Sequence, residues 1–197
     1  MEPVETITGR AMPLRRSDVD TDQIIPAVWL KNVGRTGFAA GLFSAWREDP
    51  EFVLNQPRFK NACILLTGPN FGSGSSREHA VWALAESGFY AVISSRFADI
   101  FKANCFKNGM LAVELSPDAV GRLMDAVEAD TSVEITLDVK EKRVSCPAAG
   151  VEESFELDDF TQWRLLNGLD DISLTLQRGD AISRYEASRP GWRPAIA

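Results

Sequence analysis

The spacing of apolar residues predicts a strand, a loop, a helix and a second strand in the first half of the chain. Residues 62–67 form an apolar run with the length of a buried strand, and apolar positions recur at helical spacing over 80–85. Gly88 is expected just after that helix ends, and a second apolar run covers 90–94. Elements in this order favour two parallel strands joined by a right-handed crossover.

The second half of the chain is predicted to mix helices with a hairpin. A helix is expected after Ser116, because Ser at the cap and Pro117 at the first position are residue types with which helices begin. Apolar and polar residues alternate over 133–139, which indicates a half-buried strand, and a charged turn leads to a hairpin partner at 144–146. Three more helices are predicted, at 158–167, 170–177 and 179–187.

Weaker patterns predict four shorter elements. These are a strand near 4–8, short helices at 42–47 and 97–104, and a strand at 110–115. Together with the stronger elements they predict an α/β fold in which helices flank a layered sheet.

Length and composition place the chain among ordinary globular proteins. Its 197 residues, 45% hydrophobic and 25% charged, are enough for one domain with a sizeable core. We assign this domain to residues 1–187. Residues 188–197 carry two Pro, one Gly and two Arg and are predicted to be a flexible tail.

Charge and cysteine content exclude several classes of protein. A net charge of -7 argues against a protein that binds nucleic acid or anionic membranes by bulk attraction. Three cysteines, an odd number, argue against a disulfide framework, and with His79 as the only histidine they cannot build a zinc site or an iron–sulfur cluster by themselves. No apolar run is long enough to span a membrane and the N-terminal segment is not a signal peptide, so we expect the protein in the cytoplasm.

The segment GPNFGSGSSREHA carries the strongest chemical signal in the chain. Gly72 and Gly74 let the backbone of this loop pass close to a ligand. Ser75, Ser76 and Arg77 then lie where a helix is expected to begin, at the positive end of its dipole. Hydroxyls, backbone N–H groups and a guanidinium together form a site suited to a carboxylate or a phosphate.

A purely structural interpretation of the same residues is also open. Ser75 and Glu78 have the spacing of a capping box, in which they would only satisfy the first N–H groups of the helix. The segment is not a Walker loop, since no Gly-Lys-Ser/Thr follows, and Arg77 stands where a dinucleotide-binding loop has its third glycine.

Two further candidates have ordinary structural alternatives. The acidic cluster at 18–22 resembles the start of a calcium loop, but Gln23 and Trp29 occupy positions that such a loop gives to Gly and Glu, so a turn before a strand is favoured. His79 is either a general base or, as we favour, a helix residue that helps to position the loop.

Four segments, in order and spacing, resemble the swivelling domain of the aconitase superfamily. They are the glycine-rich segment above together with DVDTDQIIPA, SRFADIFKANCFKNGML and LLNGLDDISLTLQRGDAI. The chain length and the last segment are most similar to the small subunits of bacterial 3-isopropylmalate dehydratases. This resemblance covers nearly the whole chain apart from the tail.

The resemblance implies a swivelling β/β/α fold and a chain that is half of an enzyme. The other half would be a large subunit, in a heterodimer or heterotetramer, that carries a [4Fe–4S] cluster, with no cofactor or metal on this chain. The implied reaction interconverts 2-isopropylmalate and 3-isopropylmalate through 2-isopropylmaleate, in leucine biosynthesis. By motif, Ser75 corresponds to the catalytic base, and Ser76 and Arg77 correspond to residues that bind substrate carboxylates.

The same resemblance implies that the loop after IIPA, residues 28–38, recognises the variable group of the substrate. Trp29, Leu30 and Val33 would offer an apolar surface to an isopropyl group, whereas Arg35 or Lys31 would suit an additional carboxylate. The alternative is a surface loop with solvated charges.

Two other functions stay open on the sequence. One is the small subunit of a related hydro-lyase that acts on homoaconitate or on citraconate and 2-methylmalate. The other is a non-catalytic module that binds a small anion at the same helix terminus. The sequence leaves the roles of Arg15 and Arg16 undecided.

Overall fold

A computed structural model of the chain, which describes residues 1–31, 34, 36–75, 77–190 and 192, contains a seven-stranded sheet. The strands follow the spatial order β4-β3-β2-β1-β5-β6-β7. Strands β1 to β4 are parallel, whereas β1, β5, β6 and β7 pair in antiparallel fashion. In chain order the strands are β1 (Thr6–Leu14), β2 (Ile64–Thr67), β3 (Ala91–Ser94), β4 (Leu111–Glu114), β5 (Glu134–Asp138), β6 (Arg143–Cys146) and β7 (Val151–Ser154).

Helices connect the parallel strands and continue after the last strand. The α-helices are α1 (Thr21–Ile24), α2 (Glu78–Glu86), α3 (Asp99–Lys107), α4 (Pro117–Ala129), α5 (Asp159–Leu166), α6 (Asp171–Leu176) and α7 (Gly179–Ala187). Short 3-10 helices lie at Ala27–Lys31, Ala39–Gly41, Trp46–Glu48, Val53–Asn55, Pro57–Phe59 and Pro147–Ala149.

The core lies on both faces of the parallel half of the sheet. Every residue of β2 and β3 is buried, and because successive side chains point to opposite faces, both faces must be covered. Helices α2 and α3 connect β2 to β3 and β3 to β4 and pack together, while α4 packs across β1, β2 and β3. The predicted strand, loop, helix and strand with a parallel pair is therefore confirmed.

The signals for α4 and for the hairpin are also confirmed. The Ser116 hydroxyl accepts a hydrogen bond from the Ala119 N–H at 3.1 Å, and Pro117 is the first helical residue. Strands β5 and β6 pair in antiparallel register, with Leu137 opposite Val144.

Three predictions of local structure need correction, and one strand was missed. The first strand covers Thr6–Leu14 rather than 4–8, because Gly9, Arg10 and Pro13 interrupt the strand-like pattern although Ala11 to Leu14 are all buried. Residues 42–47 do not form an α-helix, and Phe43 has a φ of +49°, which is incompatible with one. The acidic cluster precedes helix α1 rather than a strand, and strand β7 was not predicted at all.

The C-terminal helices α6 and α7 form where they were predicted, but they contribute nothing to the core. Neither helix contains a buried residue, and the last residue of the buried apolar core is Leu165. The domain limit at residue 187 therefore stays a prediction. Within the described ranges, no helix has the length and apolar character needed to cross a membrane.

Candidate active site

Three connections meet at the edge of the sheet where the parallel strands end. Strands β1 and β2 end in register, and the segments that follow β1, β2 and β3 are hydrogen-bonded to one another. The Thr21 N–H donates to the Ser73 carbonyl at 3.0 Å, and the Ala98 N–H donates to the Phe71 carbonyl at 3.0 Å. In open α/β sheets, ligands bind outside this carboxyl edge.

The glycines of the loop after β2 are required by its backbone conformation. Gly72 and Gly74 have φ angles of +78° and +79°, a region of backbone conformation in which residues other than glycine are strained. A Cβ on Gly72 would lie 2.1 Å from the Phe101 ring, and one on Gly74 would lie 3.3 Å from the Asp20 Cβ. The demand for glycine at position 72 thus comes from packing against α3, and a close approach to a ligand stays a prediction.

Ser75 lies on the exposed surface of this edge. Its carbonyl accepts a hydrogen bond from the hydroxyl of Thr21, a residue that is itself buried. The backbone that carries Ser75 is thereby tied to helix α1, while its side chain remains accessible. Ser76 lies outside the described residues.

The capping-box interpretation of Ser75 and Glu78 is wrong. Helix α2 begins at Glu78, and its N-cap is Arg77, which makes no side-chain capping bond. The Glu78 carboxylate instead accepts a hydrogen bond from the Asn108 side chain at 2.9 Å. Ser75 therefore lies ahead of the helix and does not act as its cap.

Arg77 is oriented by an acidic residue that sequence reasoning missed. The guanidinium forms an ion pair with Asp22, which belongs to helix α1, and the Arg77 side chain is 21% exposed. Asp20 and Gln23 form the capping box of that helix, and the Asp20 side chain accepts the Gln23 N–H at 2.8 Å. The acidic cluster thus starts the helix that carries Asp22, and the spacing Asp-x-x-Gln was the signal available in the sequence.

His79 packs between aromatic rings on one side of α2. Its ring centroid lies 5.2 Å from that of Phe38 in an edge-on arrangement, and 4.7 Å from that of Trp82. These contacts give His79 a packing role on this face of α2.

The loop residues predicted to recognise the substrate separate into two groups. The Trp29 indole N–H donates to the Ser44 hydroxyl at 3.2 Å, and its ring covers Gly41 so closely that a Cβ there would lie 2.7 Å away. Leu30 is half-buried and packs against the core. An apolar surface for substrate at these two residues stays a prediction, and Val33 and Arg35 lie outside the described residues.

Two arginines that follow β1 are already engaged. Arg15 forms ion pairs with Glu128 and Asp125 of helix α4, and its hydrogen bonds to Glu128 first and to Asp125 second raise the pKa of its guanidinium. The Arg16 guanidinium lies 4.0 Å from the centroid of the Trp46 ring, a cation–π arrangement. Arg15 therefore fastens the end of β1 to α4, and Arg16 lies over the Trp46 indole.

Comparisons with known proteins show the family to which this chain belongs. The aconitase C-terminal domain family matches residues 1–118, and the family of C-terminal domains of 3-isopropylmalate dehydratase small subunits matches residues 171–196. A 3-isopropylmalate dehydratase small subunit from Parafrankia sp. is 60% identical over 197 residues, which is 100% of each chain. The chain belongs to the family of 3-isopropylmalate dehydratase small subunits.

Other members of this family match nearly as well. The small subunits from Acidothermus cellulolyticus and Streptomyces coelicolor are each 59% identical over 194 residues, or 98% of each chain. The crystal structure of a 3-isopropylmalate dehydratase from Methanocaldococcus jannaschii has a TM-score of 0.67 and 25% identity, and the match covers 91% of this chain and 99% of that one. The family and the α/β fold implied by the sequence motifs are thus confirmed.

The three cysteines, Cys63, Cys105 and Cys146, are not grouped as ligands of a metal ion. Burial raises the pKa of the Cys63 and Cys105 thiols, and Cys105 and Cys146 are completely buried. In the part of the chain that the structure describes, no three His, Cys, Asp or Glu side chains are grouped so that they could hold a metal ion. The residues present therefore do not fit an iron–sulfur cluster.

Proposed function

We propose that this chain is the small subunit of a 3-isopropylmalate dehydratase, active only when its carboxyl edge is covered by a large subunit. The enzyme would interconvert 2-isopropylmalate and 3-isopropylmalate by loss and re-addition of water, through 2-isopropylmaleate, in leucine biosynthesis. The observation that carries the proposal is the exposed Ser75 beside an oriented Arg77 in a chain that is 60% identical to a named small subunit over its full length.

Ser75 is proposed as the base of this reaction. Dehydration requires removal of a C–H proton next to a carboxylate, and the Ser75 oxygen, as an alkoxide, would accept that proton. A serine hydroxyl is normally far too weak an acid to supply an alkoxide, so its anion needs nearby positive charge. Helix α2 begins three residues later with its positive end toward this edge, and the Arg77 guanidinium, whose charge is shared with Asp22, adds further N–H donors.

Arg77 is proposed to bind a substrate carboxylate. A guanidinium presents a planar pair of N–H donors that matches a carboxylate in a way that Lys cannot reproduce. Asp22 holds one side of the guanidinium, so its remaining donors point in a fixed direction before substrate arrives. Ser76 is proposed to contribute to the same carboxylate site.

We assign the [4Fe–4S] cluster implied by the sequence resemblance to the large subunit, because the described side chains of this chain do not fit one. Its chemistry would be that of a Lewis acid for the substrate hydroxyl and carboxylate. The small subunit would contribute the base and the carboxylate site. We propose that the assembled enzyme works in the cytoplasm.

The proposal is tested by reconstitution with the large subunit. The purified chain alone should give no turnover, and addition of an iron–sulfur-loaded large subunit should give activity with 2-isopropylmalate. Ser75→Ala should lower kcat by roughly 100-fold or more, as expected for loss of a positioned base. Ser87→Ala, at the other end of α2, is the matched control and should leave kcat unchanged.

Two results would contradict the proposal. Full turnover by the isolated chain would overturn the division between subunits, and undiminished turnover by Ser75→Ala would remove Ser75 from the mechanism. A substrate panel with homoaconitate and 2-methylmalate then distinguishes the related hydro-lyases.

A further inference from the structure

Glu86, the last residue of α2, holds three consecutive backbone N–H groups with a single oxygen atom. Its Oε2 accepts hydrogen bonds from the N–H groups of Gly37 at 3.0 Å, Phe38 at 2.6 Å and Ala39 at 3.0 Å. Gly37 has a φ of +91°, and Phe38 is in the right-handed helical region. Successive residues of opposite hand turn their N–H groups to one side and form a concave site for an anion.

An aromatic contact reinforces this attachment. Phe38 is completely buried, and its ring lies against His79 and Trp82 at centroid distances of 5.2 and 5.6 Å. His79, Trp82 and Glu86 are spaced by three and four residues, so they lie on one face of α2. One helix face thus binds both the backbone and the ring of the segment 37–39.

The position of this attachment connects two parts of the proposed site. Helix α2 is nine residues long, or about 13 Å at 1.5 Å per residue. Its first end follows Ser75 and Arg77, and its second end holds residues 37–39, which close the loop expected to recognise the variable group of the substrate. A rigid helix therefore separates the reacting end from the recognition end by a fixed length.

We propose that Glu86 is a positioning residue for substrate specificity, acting through the backbone of residues 37–39. This inference rests on the proposed function. By fixing the downstream end of the recognition loop to α2, the Glu86 carboxylate sets where the variable group of the substrate lies relative to Ser75. Glu86 does not touch the substrate, and its removal should alter discrimination between substrates more than the rate of the chemical step.

The experiment compares Glu86→Gln and Glu86→Ala in the reconstituted enzyme. The specificity ratio is kcat/KM for 2-isopropylmalate divided by kcat/KM for 2-methylmalate. Glu86→Ala should lower this ratio by about tenfold, the scale on which apolar groups are discriminated in a pocket, mainly through KM for 2-isopropylmalate. Glu86→Gln keeps a neutral acceptor, so its loss should be smaller than that of Glu86→Ala. Some loss should remain, because hydrogen bonds to a charged acceptor are about twice as strong as those to a neutral one.

A matched control removes the same charge elsewhere. Glu141 is exposed in the turn between β5 and β6, at the opposite edge of the sheet, and Glu141→Gln should leave the specificity ratio unchanged. Amide exchange of Gly37, Phe38 and Ala39 in the isolated chain is a second readout that needs no activity. These amides should exchange at least about tenfold faster in Glu86→Ala, whereas amides within β2 should not change.

The outcomes separate this inference from the proposed function. If both substrates lose kcat/KM equally in Glu86→Ala, the residue has only a structural role and the inference is wrong. Unchanged exchange of the three amides would also overturn it. If the wild-type assembly fails to convert 2-isopropylmalate at all, the proposed function fails with it, while faster exchange would still confirm the attachment by Glu86.

Discussion

At the scale of single residues, the side chains of the candidate site can be recognised in the sequence, whereas the contacts that orient them cannot. The run Gly-Ser-Gly-Ser-Ser-Arg marked Ser75 and Arg77 because these residue types favour an anion at a helix terminus. The partner of Arg77 could not be found in this way, since Asp22 lies 55 residues earlier and meets it only after β1 and β2 have paired. Sequence spacing indicates which residues are neighbours within one helix or strand. The contact between Arg77 and Asp22 joins two separate parts of the fold.

The role of Gly72 gives a prediction about stability. Gly72→Ala places a Cβ in the left-handed region and 2.1 Å from the Phe101 ring, so we expect the free energy of unfolding to fall by at least ~2 kcal/mol. Gly121→Ala in α4 is the control, because no atom lies within 4 Å of its new Cβ, and it should raise stability by up to ~1 kcal/mol. Urea unfolding of both variants measures the difference, and equal stabilities would contradict the strain at Gly72.

The pair between Asp22 and Arg77 gives a prediction about substrate binding. Asp22→Asn removes the charge that orients the guanidinium, so KM of the reconstituted enzyme should rise by roughly tenfold. The unfolding free energy should change by less than ~1 kcal/mol, since Asp22 is half-exposed. Asp118→Asn breaks a similar surface pair with Arg122 on α4 and should leave KM unchanged. An unaltered KM in Asp22→Asn would show that Arg77 does not depend on its partner.

At the scale of elements, a capping residue marks the start of a helix only where no tertiary hydrogen bonds constrain the backbone just before that helix. Ser116, Asp158 and Asp170 each cap a helix through a side-chain oxygen. Ser75 precedes Glu78 with the same spacing and is not a cap. The backbone before α2 is bonded to the segments after β1 and β3, and these tertiary contacts override the local preference.

The cap of α6 gives a prediction about pH. The Ser173 N–H donates to the Asp170 carboxylate at 2.7 Å and lowers the pKa of Asp170 to about 2, from an ordinary value of about 4. Because the folded pKa is depressed, the stabilisation of α6 by this carboxylate is fully present above pH 4 and is lost as the pH falls through 2. A carboxyl NMR titration, with Asp170→Asn to assign the signal, should show a midpoint near pH 2. A midpoint near pH 4 would mean that the cap is absent in solution.

At the scale of the whole molecule, the parallel half of the sheet was predictable and the antiparallel half only in part. Strands β2 and β3 are covered on both faces, so they are continuous apolar runs. Strands β1 and β7 each have exposed positions that interrupt the apolar pattern. Strand β1 also joins partners from distant parts of the chain, β2 and β5, which a local pattern does not indicate. Strand β1 pairs in parallel with β2 on one side and antiparallel with β5 on the other. This change of direction depends on how distant strands meet, so no local sequence pattern indicates it.

The uneven distribution of the core gives the last prediction. Helices α6 and α7 bury no side chain, and Ile172 and Leu176 are 66% and 71% exposed, whereas every residue of β2 and β3 is buried. Helices this short are marginal in water without packing, so amides of residues 171–187 should exchange through local opening that leaves the sheet intact. Hydrogen exchange followed by mass spectrometry should show these segments exchanging at least about 100-fold faster than β2 and β3. Equal protection of both regions would mean that the C-terminal helices are covered in the isolated chain, and the core would then extend beyond Leu165.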